Sequence, residues 1–232
     1  MKGIRVTDRV AGQLVLIGGG GHAKVVADCA RSCGWTIAGF YDDAPADSPF
    51  PLADSGVPFL GPVPTEFGRP GNDEAQPTAL FIAIGDNEDR KRLAGSVWAA
   101  DGPSPDARPG HVKVVHASSV VSPSAHIGSG TLVAPGAVIN ADARIESDCI
   151  INSSAVVEHD CIVGAAAHLA PGSVLGGAVA VGSLSLVGLG ARVLPGVRIG
   201  SRCTVGAGAV VTANVPDGAT VTGIPAKPVT SR

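Results

Sequence analysis

Aromatic residues are scarce in this 232-residue chain, and none of the eight occurs after Trp98. An ordinary layered domain uses aromatic side chains to fill irregular gaps, so we do not expect one in the C-terminal part. Positive charge is not in excess either, because the formal net charge is −3, which argues against nucleic acid as a main partner. Long apolar runs and a signal-type N-terminus are also missing, which predicts a cytoplasmic protein with no membrane span.

The five cysteines form no repeated CxxC pair, so the sequence predicts neither a disulfide framework nor a zinc site. Three of them, Cys149, Cys161 and Cys203, recur at one slot of a six-residue repeat, where a thiol acts as a compact apolar filler. Charge is uneven along the chain: residues 161–232 hold five Lys or Arg and one acidic residue. A polyanionic ligand would suit this segment, although ordinary solvated surface charge explains it equally well.

The dominant pattern is a six-residue period. From Val115 to Val211, every sixth residue is Ile, Leu or Val, 17 times in succession. This period fits neither a helix nor an alternating strand, and it predicts hexapeptide repeats whose short parallel strands stack into a β-helix. A column of small residues four places further on predicts a second inward row. We expect the glycines that directly follow the apolar position to supply the positive φ of each turn: Gly128, Gly164, Gly182, Gly188, Gly200 and Gly206.

The first hundred residues have a different pattern, in which strands alternate with helices. Apolar runs predict strands at residues 14–17, 35–41 and 79–84, and helices follow the first and third of them. This order predicts a small parallel sheet wrapped on both faces. We therefore place an α/β domain at residues 1–105 and the β-helix at residues 106–232, joined by the Pro/Gly-rich linker from Asp101 to Gly110.

The glycine-rich turn after the first strand is a candidate phosphate site. Glycines let a ligand approach the backbone, the next helix presents free N–H groups, and an acid about 20 residues later can bind a ribose hydroxyl. Tight-turn packing explains such glycines equally well, and the region has room for only one mononucleotide-binding half.

The hexad that contains Glu158, His159 and Asp160 is the best candidate for catalysis. If three hexads make one coil, residues 18 apart stack, so Gly176 and Gly177 lie over Glu158 and His159 and leave a notch beside the imidazole. A histidine flanked by carboxylates beside open space suits general-base catalysis, although a solvated loop histidine is the simpler alternative. His168 is interpreted as a mostly buried, satisfied histidine. A third metal ligand at suitable spacing is missing, so we expect no metal.

Several segments together resemble one bacterial acyltransferase family: GGGGHAKVV, the YDD at the end of the second strand, AIGDNEDR, INSSAVVEHDCIVGAAAHLAPG and GIPAKPV. The chain resembles the sialic acid O-acetyltransferase-like family, which includes N-acetyltransferases of nucleotide-linked amino sugars. The resemblance extends from about Leu14 to Val229. It implies a left-handed β-helix, whereas the usual crossover preference favours the right hand.

The resemblance also implies roles for individual residues. His159 would be the base, Asp160 would hold it, and Glu158 lies beside them. The nucleotide-sugar side would include Gly20, His22, Asp42, Asp43 and Asn152. His168 would contact the thioester region of acetyl-CoA, the Gly177 N–H would stabilise the oxyanion, and Arg192, Arg198, Arg202 and Lys227 would contact phosphates. Family members are trimers with active sites between neighbouring prisms.

We therefore expect an acetyl-CoA-dependent N-acetyltransferase that acts directly on the amine of a UDP-, GDP- or dTDP-linked 4-amino-deoxysugar. One alternative is O-acetylation of a sialic acid or another sugar hydroxyl at the same site. A second is a non-catalytic trimeric protein that binds sugar nucleotides. An NAD-dependent oxidoreductase is disfavoured, because the predicted β-helix, about half of the chain, would then have no role in the reaction.

Overall fold

The computed structural model describes residues 12–45, 47–64, 79–97 and 110–229. The N-terminal part is an α/β unit whose elements are β1 (Gly12–Ile17), α1 (Gly21–Ser32), β2 (Trp35–Tyr41), a 3₁₀ turn (Ala53–Ser55), β3 (Phe59–Gly61), β4 (Ala79–Ile82) and α2 (Asn87–Val97). Its four strands form a parallel sheet in the order β3-β2-β1-β4.

Helices cover both faces of this sheet, as the alternation of strands and helices predicts. Residues of β1 alternate between the two sides: Leu14 and Leu16 pack with α1, whereas Val15 and Ile17 pack with α2. Strand β3 lies in a proline-rich segment for which the sequence predicted no strand. Its pairing with β2 adds an edge to the sheet.

The C-terminal part is a β-helix built almost entirely from two-residue strands. They form three sheets. The five-stranded face contains β7 (His126–Ile127), β10 (Arg144–Ile145), β13 (Ile162–Val163), β16 (Ala180–Val181) and β19 (Arg198–Ile199). The six-stranded face contains β6 (Val120–Val121), β9 (Val138–Ile139), β12 (Val156–Val157), β15 (Val174–Leu175), β18 (Arg192–Val193) and β21 (Val210–Val211). The eight-stranded face contains β5 (Val114–Val115), β8 (Leu132–Val133), β11 (Ile150–Ile151), β14 (His168–Leu169), β17 (Leu186–Val187), β20 (Thr204–Val205), β22 (Thr220–Thr222) and β23 (Lys227–Pro228).

Parallel pairs join residues 18 apart, such as Val157 with Leu175 and Ile151 with Leu169. Three hexads therefore make one coil of a three-sided prism, as predicted; the handedness of the coil stays a prediction. We name the corners by one residue each. The Asp148 corner joins the five-stranded to the eight-stranded face, the Asn152 corner joins the eight-stranded to the six-stranded face, and the His159 corner joins the six-stranded to the five-stranded face.

The interior of the prism contains both predicted columns. The periodic residues from Val133 to Val205 are buried, and so are the small residues at the second slot, including Ala137, Cys149, Cys161 and Ala209. Close stacking leaves this second column room for little more than a methyl or thiol group.

The prediction for the turn glycines is wrong in position. Positive φ occurs two residues later in the hexad, at glycines such as Gly130 and at non-glycine residues such as Asp148 and Asp160. The six glycines named above are needed for a different reason. A Cβ at Gly182 would lie 2.4 Å from a backbone nitrogen of the next coil, and one at Gly188 would lie 2.5 Å from a carbonyl oxygen. They allow close stacking of coils rather than an unusual φ.

The two parts share one apolar cluster. Leu132, Ile150 and Val114 point outward from the eight-stranded face and pack with residues of α1 and β1. His111 also forms an isolated parallel bridge with Leu80 of the first sheet. Most of the predicted linker lies outside the described residues, so the domain boundary at residue 105 stays a prediction. No helix within the described ranges is long and apolar enough to cross a membrane.

Candidate active site

His159 lies at the corner that bears its name, and it is exposed to solvent. Its Nδ1 lies 2.7 Å from Oδ2 of Asp160, and both side chains are 61% exposed. This hydrogen bond raises the pKa of His159, and the charges of Asp160 and Glu158 act in the same direction. With the proton of neutral imidazole on Nδ1, facing the carboxylate, Nε2 is the nitrogen left to accept a proton.

Asp160 itself has φ of +60°, in the left-handed region that aspartate tolerates better than most residues. Glu158 is placed differently. Its Oε2 accepts a hydrogen bond from Nδ2 of Asn140, one coil earlier, at 2.9 Å. Asp160 therefore holds the imidazole, whereas Glu158 is tied to the preceding coil.

Gly177 makes room for the His159 ring. A Cβ at Gly177 would lie only 2.6 Å from Nε2 of His159, so the imidazole leans on bare backbone there. The Gly177 carbonyl accepts from the Gly196 N–H, whereas the Gly177 N–H donates to no other backbone group of the described residues. The predicted notch does not extend to Gly176, where a Cβ would meet Pro195 at 2.8 Å. That glycine serves the stacking of the next coil.

The glycines of the glycine-rich loop in the N-terminal part fall into two groups. Gly18 has φ of +111°, and a Cβ at Gly19 would lie 2.3 Å from Phe40, so these two glycines are needed for folding. A Cβ at Gly20 or Gly21 would meet nothing within 4 Å. Gly20 is the N-cap of α1, so the open space lies where the helix presents its free N–H groups.

Asp42 and Asp43, predicted on the nucleotide-sugar side, both accept hydrogen bonds from backbone N–H groups. Oδ2 of Asp42 accepts from the Gly19 N–H at 2.8 Å, and its Oδ1 accepts from the Ala44 N–H at 2.9 Å. Asp43 is exposed, and its Oδ1 accepts from the Val63 N–H at 2.9 Å. Asp42 therefore shapes the glycine loop, while Asp43 keeps one carboxylate oxygen available at the surface.

His22 and His168 lie in one neighbourhood, at the junction of the two parts. Burial and the nearby charge of Arg90 lower the pKa of His22 to about 4, and the same causes, joined by His22, lower the pKa of His168 to about 4. Both rings are thus neutral at pH 7. Nε2 of His22 is buried and has no hydrogen-bond partner among the residues described.

Asn152 fixes the tautomer of His168. Oδ1 of Asn152 accepts from the Ser153 N–H at 2.8 Å, so its Nδ2 is the atom that faces Nε2 of His168 at 3.1 Å. The amide must donate to an unprotonated Nε2, which leaves the proton of His168 on Nδ1. His168 is hydrogen-bonded, as predicted, but it is half-buried rather than mostly buried.

Within one chain, these residues form two separate groups. Asn152, His168 and His22 lie on or beside the eight-stranded face, whereas His159 and Asp160 lie at the opposite end of the six-stranded strand Val156–Val157. The structure therefore does not bring the predicted base to the predicted nucleotide side of the same chain.

The predicted phosphate-binding cations also lie apart. Arg192 is on the six-stranded face, Arg198 on the five-stranded face and Lys227 at the end of the eight-stranded face. Arg192 and Arg198 are exposed and flank the His159 corner two coils beyond it, in the columns of Val156 and Ile162. Arg202 instead pairs with Glu88 of α2, so it belongs to the junction between the two parts.

A groove of about 630 Å³ runs along the five-stranded face. Arg198 lines it together with Glu146 and Asp217, and Ile162 lies at its side near the His159 corner. No local sequence pattern indicates this groove, because its lining residues come from several coils. Among the residues described, no three His, Cys, Asp or Glu side chains are grouped so that they could hold a metal ion.

Two family models match the chain. The model described as PglD N-terminal domain matches residues 13–97, and the model described as bacterial transferase hexapeptide (six repeats) matches residues 142–177. A comparison with curated proteins finds no match.

Several solved structures are similar over almost the whole chain. PerB from Caulobacter crescentus, in complex with CoA and GDP-perosamine, is 41% identical, with a TM-score of 0.78 over 94% of this chain and 98% of PerB. A variant of perosamine N-acetyltransferase from the same organism, with a histidine replaced by asparagine, is 40% identical, with a TM-score of 0.79 over 95% of this chain and 98% of that one. The acetyltransferase domain of PglB from Neisseria gonorrhoeae, in complex with acetyl coenzyme A, is 32% identical, with a TM-score of 0.76 over 94% and 100% of the two chains.

Proposed function

The chain belongs to the hexapeptide-repeat sugar acyltransferases, and from this premise we propose that it transfers an acetyl group from acetyl-CoA to the amine of a nucleotide-linked 4-amino-deoxysugar. The observation that carries the proposal is the similarity, at 40 to 41% identity, to complexes that hold both CoA and GDP-perosamine. GDP is accordingly the first nucleotide to test among GDP, UDP and dTDP.

His159 supports a direct attack by the amine. The neutral imidazole takes the amine proton on Nε2 while the amine nitrogen forms a bond to the thioester carbonyl carbon. The carbon–sulfur bond then breaks, and the imidazolium returns the proton to the departing thiolate. Asp160 stabilises the imidazolium through Nδ1, and the free Gly177 N–H is placed to donate to the oxyanion.

A covalent acyl-cysteine has little support. Burial raises the pKa of Cys149 to about 12 and also raises the pKa of Cys161 in the hexad of the proposed base. Both thiols are buried in the prism, so neither is a reactive nucleophile at neutral pH.

The basic residues beside the His159 corner fit the phosphates of acetyl-CoA. Arg192 and Arg198 lie about 10 Å along the prism from the strands that flank His159, one on each adjoining face. Exposed guanidinium groups are suited to bidentate contact with phosphate. We assign them to the acyl donor; Lys227, which lies on the third face, would need a chain other than the one that supplies Arg192.

We further propose that the enzyme is a homotrimer, because the two groups of site residues lie at different corners of one prism. A second chain would place its Asn152, His168 and His22 opposite the first chain's His159. Exposed Ile162 and Leu194, 48% and 45% exposed, lie beside the His159 corner and would be covered in such a contact.

The proposed activity is tested by a thioester-cleavage assay with acetyl-CoA and a panel of sugar nucleotides. We expect turnover with GDP-perosamine and none with the matched sugar that carries a hydroxyl group in place of the amine. His159→Ala should lower kcat by roughly 10² to 10⁴-fold. Turnover of the hydroxyl sugar alone would identify an O-acetyltransferase, and no thioester cleavage with any sugar would reject the proposal.

Mixing two inactive variants tests whether two chains share a site. His159→Ala and His168→Ala chains, unfolded and reassembled together in equal amounts, would restore about a quarter of wild-type activity, because each site needs one intact residue from each of two chains. Each variant reassembled alone is the control. If the mixture stays inactive, the site lies within one chain.

A further inference from the structure

Arg90 and Asn87, both on α2, bind the β-helix through backbone oxygens. Nε of Arg90 donates to the Asp148 carbonyl at 2.7 Å, and its Nη2 donates to the Ala166 carbonyl at 2.8 Å. Nδ2 of Asn87 donates to the Leu184 carbonyl at 3.1 Å. The two side chains also hydrogen-bond to each other at 2.8 Å. One turn of helix is thus attached to three successive coils.

The three accepting residues occupy one position in the repeat. Asp148, Ala166 and Leu184 are 18 residues apart and share a left-handed backbone, with φ of 60°, 56° and 63°. We call them the corner column. Their N–H groups bond to carbonyls of the preceding coil, and their own carbonyls point outward at the Asp148 corner to α2.

Arg90 also holds the loop that faces the predicted nucleotide side. Its Nη1 donates to the carbonyls of Ile84, Gly85 and Asp86, at 3.0 to 3.2 Å, in the loop between β4 and α2. Gly85 lies against His22, because a Cβ there would be 3.9 Å from Cβ and Cγ of the histidine. A single buried guanidinium, 1% exposed, therefore connects the loop beside His22 to the coils that carry His168.

We propose that Arg90, supported by Asn87, is a positioning residue that sets the nucleotide-facing loop and His22 relative to His168. This inference rests on the proposed function, since it assigns the junction a role in sugar-nucleotide binding. A fork of five N–H donors in fixed geometry can hold loop and coils at once, which an ammonium group cannot do.

The charge of Arg90 adds an electrostatic effect. It contributes to the low pKa of both His22 and His168, in addition to their burial. The groups that face Arg90 itself are Asp148, Asp86 and Cys149, and Asp148 is also paired with buried His111 at 2.9 Å. Loss of the positive charge should therefore let His22 and His168 protonate at a higher pH.

Three variants separate geometry from charge. Arg90→Met removes both the charge and the hydrogen bonds, Arg90→Lys keeps the charge but loses the fork, and Asn87→Ser shortens the donor to Leu184. Arg92→Met is the matched control, because Arg92 lies on the same helix, is exposed and pairs with Asp89 one turn away.

We expect Arg90→Met to raise KM for the sugar nucleotide at least about tenfold, with little change in KM for acetyl-CoA, and to raise the pH at which the His22 and His168 imidazoles protonate. Arg90→Lys should raise the same KM but leave the titration of both imidazoles unchanged, because lysine keeps the positive charge. Asn87→Ser should raise that KM more weakly, and Arg92→Met should match the wild type.

A merely structural role predicts a different result, in which melting temperature falls while both KM values stay unchanged; this would overturn the proposal. Unchanged titration of the His22 and His168 imidazoles in folded Arg90→Met would overturn its electrostatic part. If Arg90→Met does not fold, Arg90→Lys and Asn87→Ser decide the geometric part. NMR titration of the His22 and His168 imidazoles in wild type, Arg90→Met and Arg90→Lys needs no turnover, so it separates failure of this inference from failure of the proposed activity.

Discussion

The space beside His159 can be filled with one methyl group. In Gly177→Ala, the new Cβ would lie 2.6 Å from Nε2 and 2.7 Å from Cε1 of His159, whereas ordinary contact begins at 3.4 Å. The ring must therefore move by roughly 1 Å, and a displacement of this size at reacting atoms lowers rates by about 10²-fold. We expect kcat to fall by about this factor.

The fold should tolerate the same change. His159 is largely exposed, so its ring can swing into solvent, and the backbone of Gly177 is not in the left-handed region. We expect the free energy of unfolding to stay within about 0.5 kcal/mol of wild type. A loss of activity without a loss of stability would place the effect at the imidazole.

The measurements are thioester cleavage for activity and thermal unfolding for stability. Two other glycine substitutions serve as controls for both. Gly95→Ala adds a methyl group that meets nothing within 4 Å, so both activity and stability should be retained. Gly188→Ala pushes a methyl group to 2.5 Å from the Val205 carbonyl oxygen, so stability should fall first. Wild-type kcat in folded Gly177→Ala would refute the assignment of His159 as the base.

The remaining predictions concern charge and pH. Asp160→Asn keeps an oxygen that can accept from Nδ1 of His159 but removes the negative charge that raises its pKa, so the acid limb of kcat/KM should move to lower pH while kcat falls; an unmoved limb in steady-state pH profiles would contradict this. Arg192→Ala and Arg198→Ala should each raise KM for acetyl-CoA by about tenfold and leave KM for the sugar nucleotide unchanged, and the reverse pattern would remove them from the acyl-donor site. Because the folded-state pKa of His22 and His168 is about 4, below the ordinary 6.5, their neutral burial favours the fold above pH 6.5, and this stability is lost as pH falls from 6.5 toward 4. Urea unfolding midpoints should record that decline, and it should be smaller in His22→Gln; an equal decline in that variant would rule out His22 as a source.

Much of the fold follows from the sequence because the repeat is strictly local. The apolar residue at every sixth position fixes which side chain points inward, and parallel pairing of residues 18 apart follows from three hexads per coil. The position of Gly177 over His159 was predicted by the same arithmetic. The strand positions and the pairing of the coils therefore follow from spacing, whereas the handedness of the coil does not.

The phase of the turn was not specified in this way. Two positions of the hexad are rich in glycine, and the sequence does not distinguish a glycine needed for positive φ from one needed for close approach of two coils. Asp160 and Leu184 adopt the left-handed conformation without glycine, since the stacked coils on either side hold them there. Packing in three dimensions decides this point.

The junction between the two parts was also missed. Arg90 contacts residues 58 and 76 positions away, and Asn87 contacts one 97 positions away, so no local pattern indicates these bonds. The GDNEDR segment contains both residues, but the sequence indicates only a helix start and the family resemblance there, and no contact with the β-helix. Likewise, Arg202 had the charge of a phosphate ligand, and only its position opposite Glu88 assigns it to the junction.

The corner column has a consequence for how this architecture can vary. A solenoid repeats its surface at every coil, so shape alone would allow the N-terminal unit to sit one step higher or lower. Specific side chains select the coils that the N-terminal unit contacts. Asp148 pairs with His111 on one coil, and Arg90 and Asn87 together reach the carbonyls of that coil and of the next two. Coils added or lost after Leu184 in whole multiples of 18 residues would leave the contacts between the two parts unchanged. A single residue inserted between Asp148 and Leu184 would instead turn every later carbonyl acceptor away from α2.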